Sequence, residues 1–229
     1  HVFDSIFIYI QHVSVYYQVA LNMLKSISTT SVIQLARVPW NDPGRVMKIL
    51  DAGAYGVICP MINNAEQAES LIAACKYPPT GMRSFGPIRA KYYAGGTTHG
   101  GGDYHEFAND ETLVIPQIET REAISNIDEI LQVPGIGAIY VGPSDLAMAL
   151  GSQPRAGQKD PEVIAARHKI IEACKRHGVP AGIHTPSSKV ALEMIAEGFQ
   201  LTTIASDDRF LMTQAKQEVE AMRAGLKSN

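Results

Sequence analysis

Seven short runs rich in β-branched and aromatic residues, each followed by a stretch with helical spacing, constrain this chain more than any other feature of it. The runs are 5–10 (SIFIYI), 31–38 (SVIQLARV), 56–61 (GVICPM), 113–118 (LVIPQI), 136–141 (IGAIYV), 181–185 (AGIHT) and 201–205 (LTTIA). Runs of this length bounded by turn residues read as buried strands, and their alternation with helices is the grammar of a parallel sheet with helices outside. The punctuation agrees. Asp42 with Pro43 opens a helix that Gly53 can close, Asn64 caps one reaching about Lys76, and Gly198 ends one that starts near Ser188. Residues 77–110 break the pattern and are predicted to be a long loop, which in a compact domain is usually functional or mobile.

A closed (β/α)₈ barrel needs eight strands and typically about 250 residues. With seven strands in 229 residues, the prediction is an α/β TIM barrel lacking its first strand and the helix before it, with residues 1–229 forming a single domain. An open doubly wound sheet is the alternative, weakened because no G-x-G-x-x-G follows a strand. A barrel without its first strand has an unpaired edge, so the chain is expected to be a fragment of a longer protein or to have that edge covered.

Composition removes several classes of function. Lys+Arg is 20 against Asp+Glu 23, a net charge of −3, so no basic surplus points to nucleic acid or to an anionic membrane. The apolar stretch 2–24 is broken by Asp4, Gln11, His12, Gln18 and Asn22, and it carries no basic n-region, so neither a spanning helix nor a signal peptide is expected. Three cysteines without metal-ligand spacing read as reduced residues and suit a cytoplasmic protein. The partner predicted by elimination is a small molecule.

Two strands end on acids, at Glu119 and Asp145. If their strands are parallel neighbours, both emerge at the carboxyl end of the sheet, where α/β folds place their ligands. Two acids that close suit a hard divalent cation such as Mg²⁺ or Mn²⁺, which keeps open positions for water and substrate oxygens. Either acid alone reads equally as a helix cap. His12, also at a strand end, reads by itself as an ordinary histidine. His99 and His105 flank Gly100, Gly101 and Gly102, too flexible a frame for a metal site; His184 ends a strand where it can line the mouth of the barrel, but reads better as a packed strand-end residue. Arg83 and Arg89 suit a substrate carboxylate or a solvated loop equally.

Four segments then bring in a family. RVPWNDP (37–43), YPPTGMRSFGP (77–87), PQIETREA (116–123) and YVGPSDLAMALG (140–151) resemble the HpcH/HpaI class II pyruvate aldolases, which include 4-hydroxy-2-oxo-heptanedioate aldolase and enzymes acting on 2-keto-3-deoxy sugar acids. The resemblance covers nearly the whole chain. It implies a TIM barrel assembled as swapped dimers or hexamers, a divalent metal (Mg²⁺, Mn²⁺ or Co²⁺), and a role in aromatic compound catabolism. By position it makes Glu119 and Asp145 metal ligands, and Gln117, Gly142, Ser144 and Asp145 pyruvate-binding residues. It makes Arg37 the stabiliser of the enolate oxygen, His12 the general base, and Asp51 the acid that raises the basicity of that base. The family pattern around the base is D-x-Q/E-H-G, whereas this chain has Tyr9 and Val13 at its first and last positions.

The implied reaction is cleavage or formation of a 4-hydroxy-2-oxo acid, giving pyruvate enolate and an aldehyde, with the metal as Lewis acid and Arg37 as fixed charge. No lysine sits at a strand end for a Schiff-base route; Lys91 alone falls in a strand-to-helix loop. The competing readings are a citryl/malyl-CoA lyase or phosphoenolpyruvate mutase type of enzyme, and a homologue that binds metal and pyruvate without turnover.

Overall fold

The structure is a computed structural model that describes residues 2–14, 16–93, 104–155, 157 and 159–227. His99 and the glycines at 100–102 lie outside the described residues. Among the described residues seven strands form one parallel sheet in simple sequential order: β1 (Ser5–Tyr9), β2 (Ile33–Arg37), β3 (Gly56–Cys59), β4 (Leu113–Ile118), β5 (Ile139–Val141), β6 (Ala181–Ile183) and β7 (Leu201–Thr202). Sequential order with every crossover helical is the winding of a (β/α) barrel rather than of a doubly wound sheet, whose strand order reverses at its middle. Among the described residues β1 and β7 each pair on one side only, so the barrel is incompletely closed.

Helices α1 (Tyr17–Ile27), α2 (Pro43–Asp51) and α3 (Ala65–Cys75) connect the first strands. The predicted caps form: Asp42 accepts from the Arg45 amide and Asn64 from the Gln67 amide, each contributing about 1 kcal/mol. After β4 the chain turns through α6 (Arg121–Ser125) and α7 (Ile127–Leu131). After β5 come α8 (Pro143–Ala149) and α9 (Pro161–His177), then α10 (Ser188–Glu197) and finally α11 (Asp207–Lys227).

Alternation along the strands sorts side chains into two cores. Ile8, Ala36, Val57, Val114, Ile118, Ile139 and Ile183 face outward and pack against the helices in the larger core. Leu35, Ile58, Ile115, Ala138 and Tyr140, with Phe7, Leu113 and Leu201 at their margin, fill the barrel interior. All three cysteines are buried free thiols, as the apolar patterns around Cys59 and Cys174 predict for those two.

The predicted loop at 77–110 is not structureless: it contains α4 (Ala90–Tyr93) and runs into α5 (Tyr104–Glu111). Tyr104, Phe107 and Ala108 stand at i, i+3 and i+4 and pack with Tyr77 and Ala90 into a small separate core. The Gly-rich stretch before them hides that period in the sequence. Lys76, 5 % exposed, pins the segment by donating to the carbonyls of Asn109 and Thr112. Every strand but β4 is shorter than predicted. Beyond β3, Pro60 has no amide hydrogen to give and Met61 adopts φ 59°, which ends the ladder.

Candidate active site

The interior columns of the barrel change character as they climb toward the carboxyl ends of the strands. With period two, Phe7 leads to Tyr9, Leu35 to Arg37, Ile115 through Gln117 to Glu119, and Tyr140 to Gly142. The lower members are apolar and the upper ones polar, so the apolar interior forms the floor of a polar pocket. Gln117 pairs in register with Tyr140 and Ile118 with Val141, which brings Glu119 level with Gly142 on the neighbouring strand.

Glu119 is 1 % exposed. One carboxylate oxygen accepts from the Met61 amide at 3.0 Å and the other from the Gln117 side-chain amide. Burial pushes its carboxyl above the ordinary range. The charge of Asp145 acts the same way, while the two hydrogen bonds and Arg37 oppose the shift. Gly142 is essential to this packing, because a Cβ there would lie 2.3 Å from Glu119 Oε2 and 2.7 Å from Gln117 Nε2. Asp145 is exposed in the first turn of α8, with Ser144 half-buried beside it.

Arg37 projects from the end of β2 with its Nη2 3.9 Å from Glu119 Oε2. Its Nη1 donates to the Tyr9 hydroxyl at 3.2 Å, and its Cζ lies 5.0 Å from the Tyr9 ring centroid. His12, exposed just beyond β1, has its ring 6.0 Å from that of Tyr9. Burial raises the Tyr9 phenol above its ordinary value, with Arg37 opposing and both carboxylates reinforcing the shift, so it stays protonated near neutrality. Buried and without hydrogen-bond partners are Arg37 Nε and Gln117 Oε1, a donor and an acceptor in the same pocket.

Asp51 stands apart from this group. It ends α2, hence sits at the amino end of the sheet, and its carboxylate accepts from the buried Arg83 guanidinium at 2.6 Å. Burial raises its carboxyl, and the Arg83 hydrogen bond and charge offset part of that. Arg83 lies over the Tyr77 ring at 4.5 Å, which makes it a structural partner of Asp51 rather than a solvated loop residue.

Sequence reasoning missed two contributors and ranked a third, His184, too low. The Met61 amide is aimed by a left-handed turn that no residue type there announces. In the sequence Tyr9 is visible only as a departure from the D-x-Q/E-H-G pattern. His184 is not simply packed: it stands exposed at the mouth with its Nδ1 3.4 Å from the Tyr140 hydroxyl and 3.2 Å from Thr203 Oγ1. Desolvation of the ring's inner side lowers its pKa, helped by Arg37 and Arg209.

Two carboxylates of hard oxygen, one deeply buried, at a mouth open to solvent suit Mg²⁺ or Mn²⁺, which take few protein ligands and retain water. Among the described residues no group of three or more His, Cys, Asp or Glu side chains that could hold a metal ion is present. No helix among the described residues is long and apolar enough to cross a membrane.

Comparison with known proteins shows the family. The family model for HpcH/HpaI aldolase/citrate lyase matches residues 3–213. A hydroxypyruvate/pyruvate aldolase of Rhizorhabdus wittichii is 37 % identical over 222 residues, covering 97 % of this chain and 86 % of that protein. A 4-hydroxy-2-oxo-heptane-1,7-dioate aldolase of Salmonella paratyphi A is 33 % identical over 227 residues, covering 99 % and 84 %. The crystal structure of an HpcH/HpaI aldolase/citrate lyase family protein from Burkholderia cenocepacia J2315 superposes with a TM-score of 0.86 at 27 % identity, covering 96 % of this chain and 86 % of that one. The chain therefore belongs to the HpcH/HpaI aldolase/citrate lyase family of carbon–carbon bond lyases.

Proposed function

We propose that this chain is a divalent-metal-dependent aldolase that cleaves, or in reverse forms, 4-hydroxy-2-oxo acids to pyruvate and an aldehyde. The observation that carries the reading is the convergence of buried Glu119 with Asp145, Gln117 and Arg37 at one barrel mouth, with a donor and an acceptor there lacking partners. The relatives' names supply the substrate class.

Glu119 and Asp145 would hold the metal, which when bound supplies a Lewis acid for the 2-keto oxygen. The missing Cβ of Gly142 leaves room for the Glu119 carboxylate and the Gln117 amide, and the substrate carboxylate would bind beside them, along the backbone from Gly142 to Ser144. In cleavage, His12 takes the proton from the C4 hydroxyl, the C3–C4 bond pair moves to C3 and onward to the C2 oxygen, and the aldehyde departs. The imidazolium can return its proton to C3, giving pyruvate. Arg37 places a fixed positive charge where negative charge grows, and such preorganised donors commonly contribute factors of about 10² to 10³ in rate.

Asp51 belongs to this reading only in an assembly, since it lies at the opposite end of its own barrel from His12. Helix α11 supports an oligomer. Its described side chains are all exposed, and Met212, Ala215, Val219, Met222 and Leu226 recur at alternating spacings of three and four. Such an apolar seam on a helix standing clear of its own barrel suits a second copy.

A second reading has one observation behind it: His12 is exposed and its ring neighbour is Tyr9, not an acid. That arrangement suits a protein that holds pyruvate on a metal without turnover. Pyruvate release from a panel of 4-hydroxy-2-oxo acids, with Mg²⁺, Mn²⁺ or Co²⁺, with EDTA, and with Glu119→Ala, separates the two. The expected result is release that vanishes with EDTA and in the variant. Metal-dependent pyruvate binding without release would establish the second reading instead.

A further inference from the structure

Arg37 is gripped on one side only. Its Nη1 donates to the Tyr9 hydroxyl and its plane lies against the same ring. The grip follows from topology, because Tyr9 and Arg37 are register partners in adjacent parallel strands and so share a face. On the other side, Nη2 stands 3.9 Å from Glu119 Oε2, beyond hydrogen-bond length, and Nε is buried without a partner. In a planar guanidinium, Nε and Nη2 point their hydrogens off one common edge, the fork that binds two oxygens of an anion. The edge left unfilled is thus the one nearest Glu119.

We propose that Tyr9 is a positioning residue, a neutral clamp that holds Arg37 by Nη1 and ring face so that its Nε/Nη2 edge meets the oxyanion forming at C2 of the substrate. The inference rests on the aldolase reading given above. A carboxylate in the place of Tyr9 would orient the guanidinium equally well but would cancel much of its charge at the reacting atoms. A phenol orients without cancelling. The ring-face contact adds to the hold, and it leaves Arg37 no reason to swing into a full ion pair with Glu119.

The test is a double-mutant cycle on the intact protein, using Tyr9→Phe, Arg37→Ala and the pair. Oxalate, a planar analogue of pyruvate enolate, is the probe, and its binding is measured by calorimetry in the presence of Mn²⁺. Tyr9→Phe should weaken oxalate about tenfold, the size of one charge-assisted hydrogen bond, and leave Mn²⁺ affinity within about twofold. In the Arg37→Ala background the same change should cost nothing, because a residue that acts through Arg37 has nothing left to act on. In turnover, Tyr9→Phe should lower kcat and leave KM nearly unchanged, and Tyr9→Asp should lower kcat as well. Wild-type oxalate binding in Tyr9→Phe, or losses that simply add across the cycle, would overturn the clamp. A wild-type chain that neither releases pyruvate nor binds oxalate would overturn the aldolase reading itself.

Discussion

At Glu119 two requirements conflict. A metal ligand must be ionised, yet the residue is almost fully buried, and burial disfavours the charged form. Metal-free protein should therefore carry a carboxylate that costs stability. Glu119→Gln is expected to melt no lower than the wild type without metal, by up to about 1 kcal/mol in its favour, because Gln117 can flip its unpartnered Oε1 toward the new amide. It should also lose divalent-metal stabilisation; thermal melts with and without Mn²⁺ read both effects. Asp51 gives a pH-dependent counterpart. Its native carboxyl holds a proton more tightly than the unfolded chain does, so its contribution to stability is full below the ordinary aspartate value and is lost as pH rises through the raised native one. In Asp51→Asn that part of the pH slope should disappear, which melting followed across the acid range will show. A slope equal to that of the wild type would mean that Arg83 already offsets the burial of Asp51.

At the level of elements, the strand ends do the positioning and two backbone irregularities adjust it. Met61 at φ 59° turns its amide onto Glu119 just after β3, and Ala205 at φ 136° bends the chain just after β7. An L-residue with a side chain is strained in that second conformation by about 1 to 3 kcal/mol. Glycine would remove the strain at a smaller entropic cost, so Ala205→Gly should stabilise the fold by about 1 kcal/mol. Denaturant unfolding with an unchanged slope and a higher midpoint is the expected result; a lower midpoint would show that the alanine methyl makes packing contacts worth more than the strain. The sequence announces neither bend, since methionine and alanine are not turn residues. The caps at Asp42 and Asn64, by contrast, are legible because a side chain that accepts from a backbone amide two or three residues ahead acts within one turn.

For the whole molecule, the decisive fact is that Asp51 and His12 lie at opposite ends of one barrel. If both serve one reaction, they come from different copies. Mixing two inactive variants, His12→Ala and Asp51→Asn, and allowing the subunits to exchange should restore pyruvate release through mixed assemblies that pair an intact His12 with an intact Asp51. No recovery, with exchange demonstrated, would remove Asp51 from the reaction. What the sequence determined by itself is whatever short-range chemistry encodes. Strand and helix alternation, the caps, the reduced cysteines and the strand-end acids all depend on neighbours a few residues away. The parallel order follows too, because right-handed βαβ crossovers leave few other solutions. The place of Asp51 late in a helix already sets it at the far end of the barrel. Only the tertiary structure decided that Tyr9 clamps Arg37, that Met61 and Gln117 hold Glu119 and that residues 104–111 are helical. Each of these turns on a contact between segments far apart in the chain, and no local pattern of residue types carries that information.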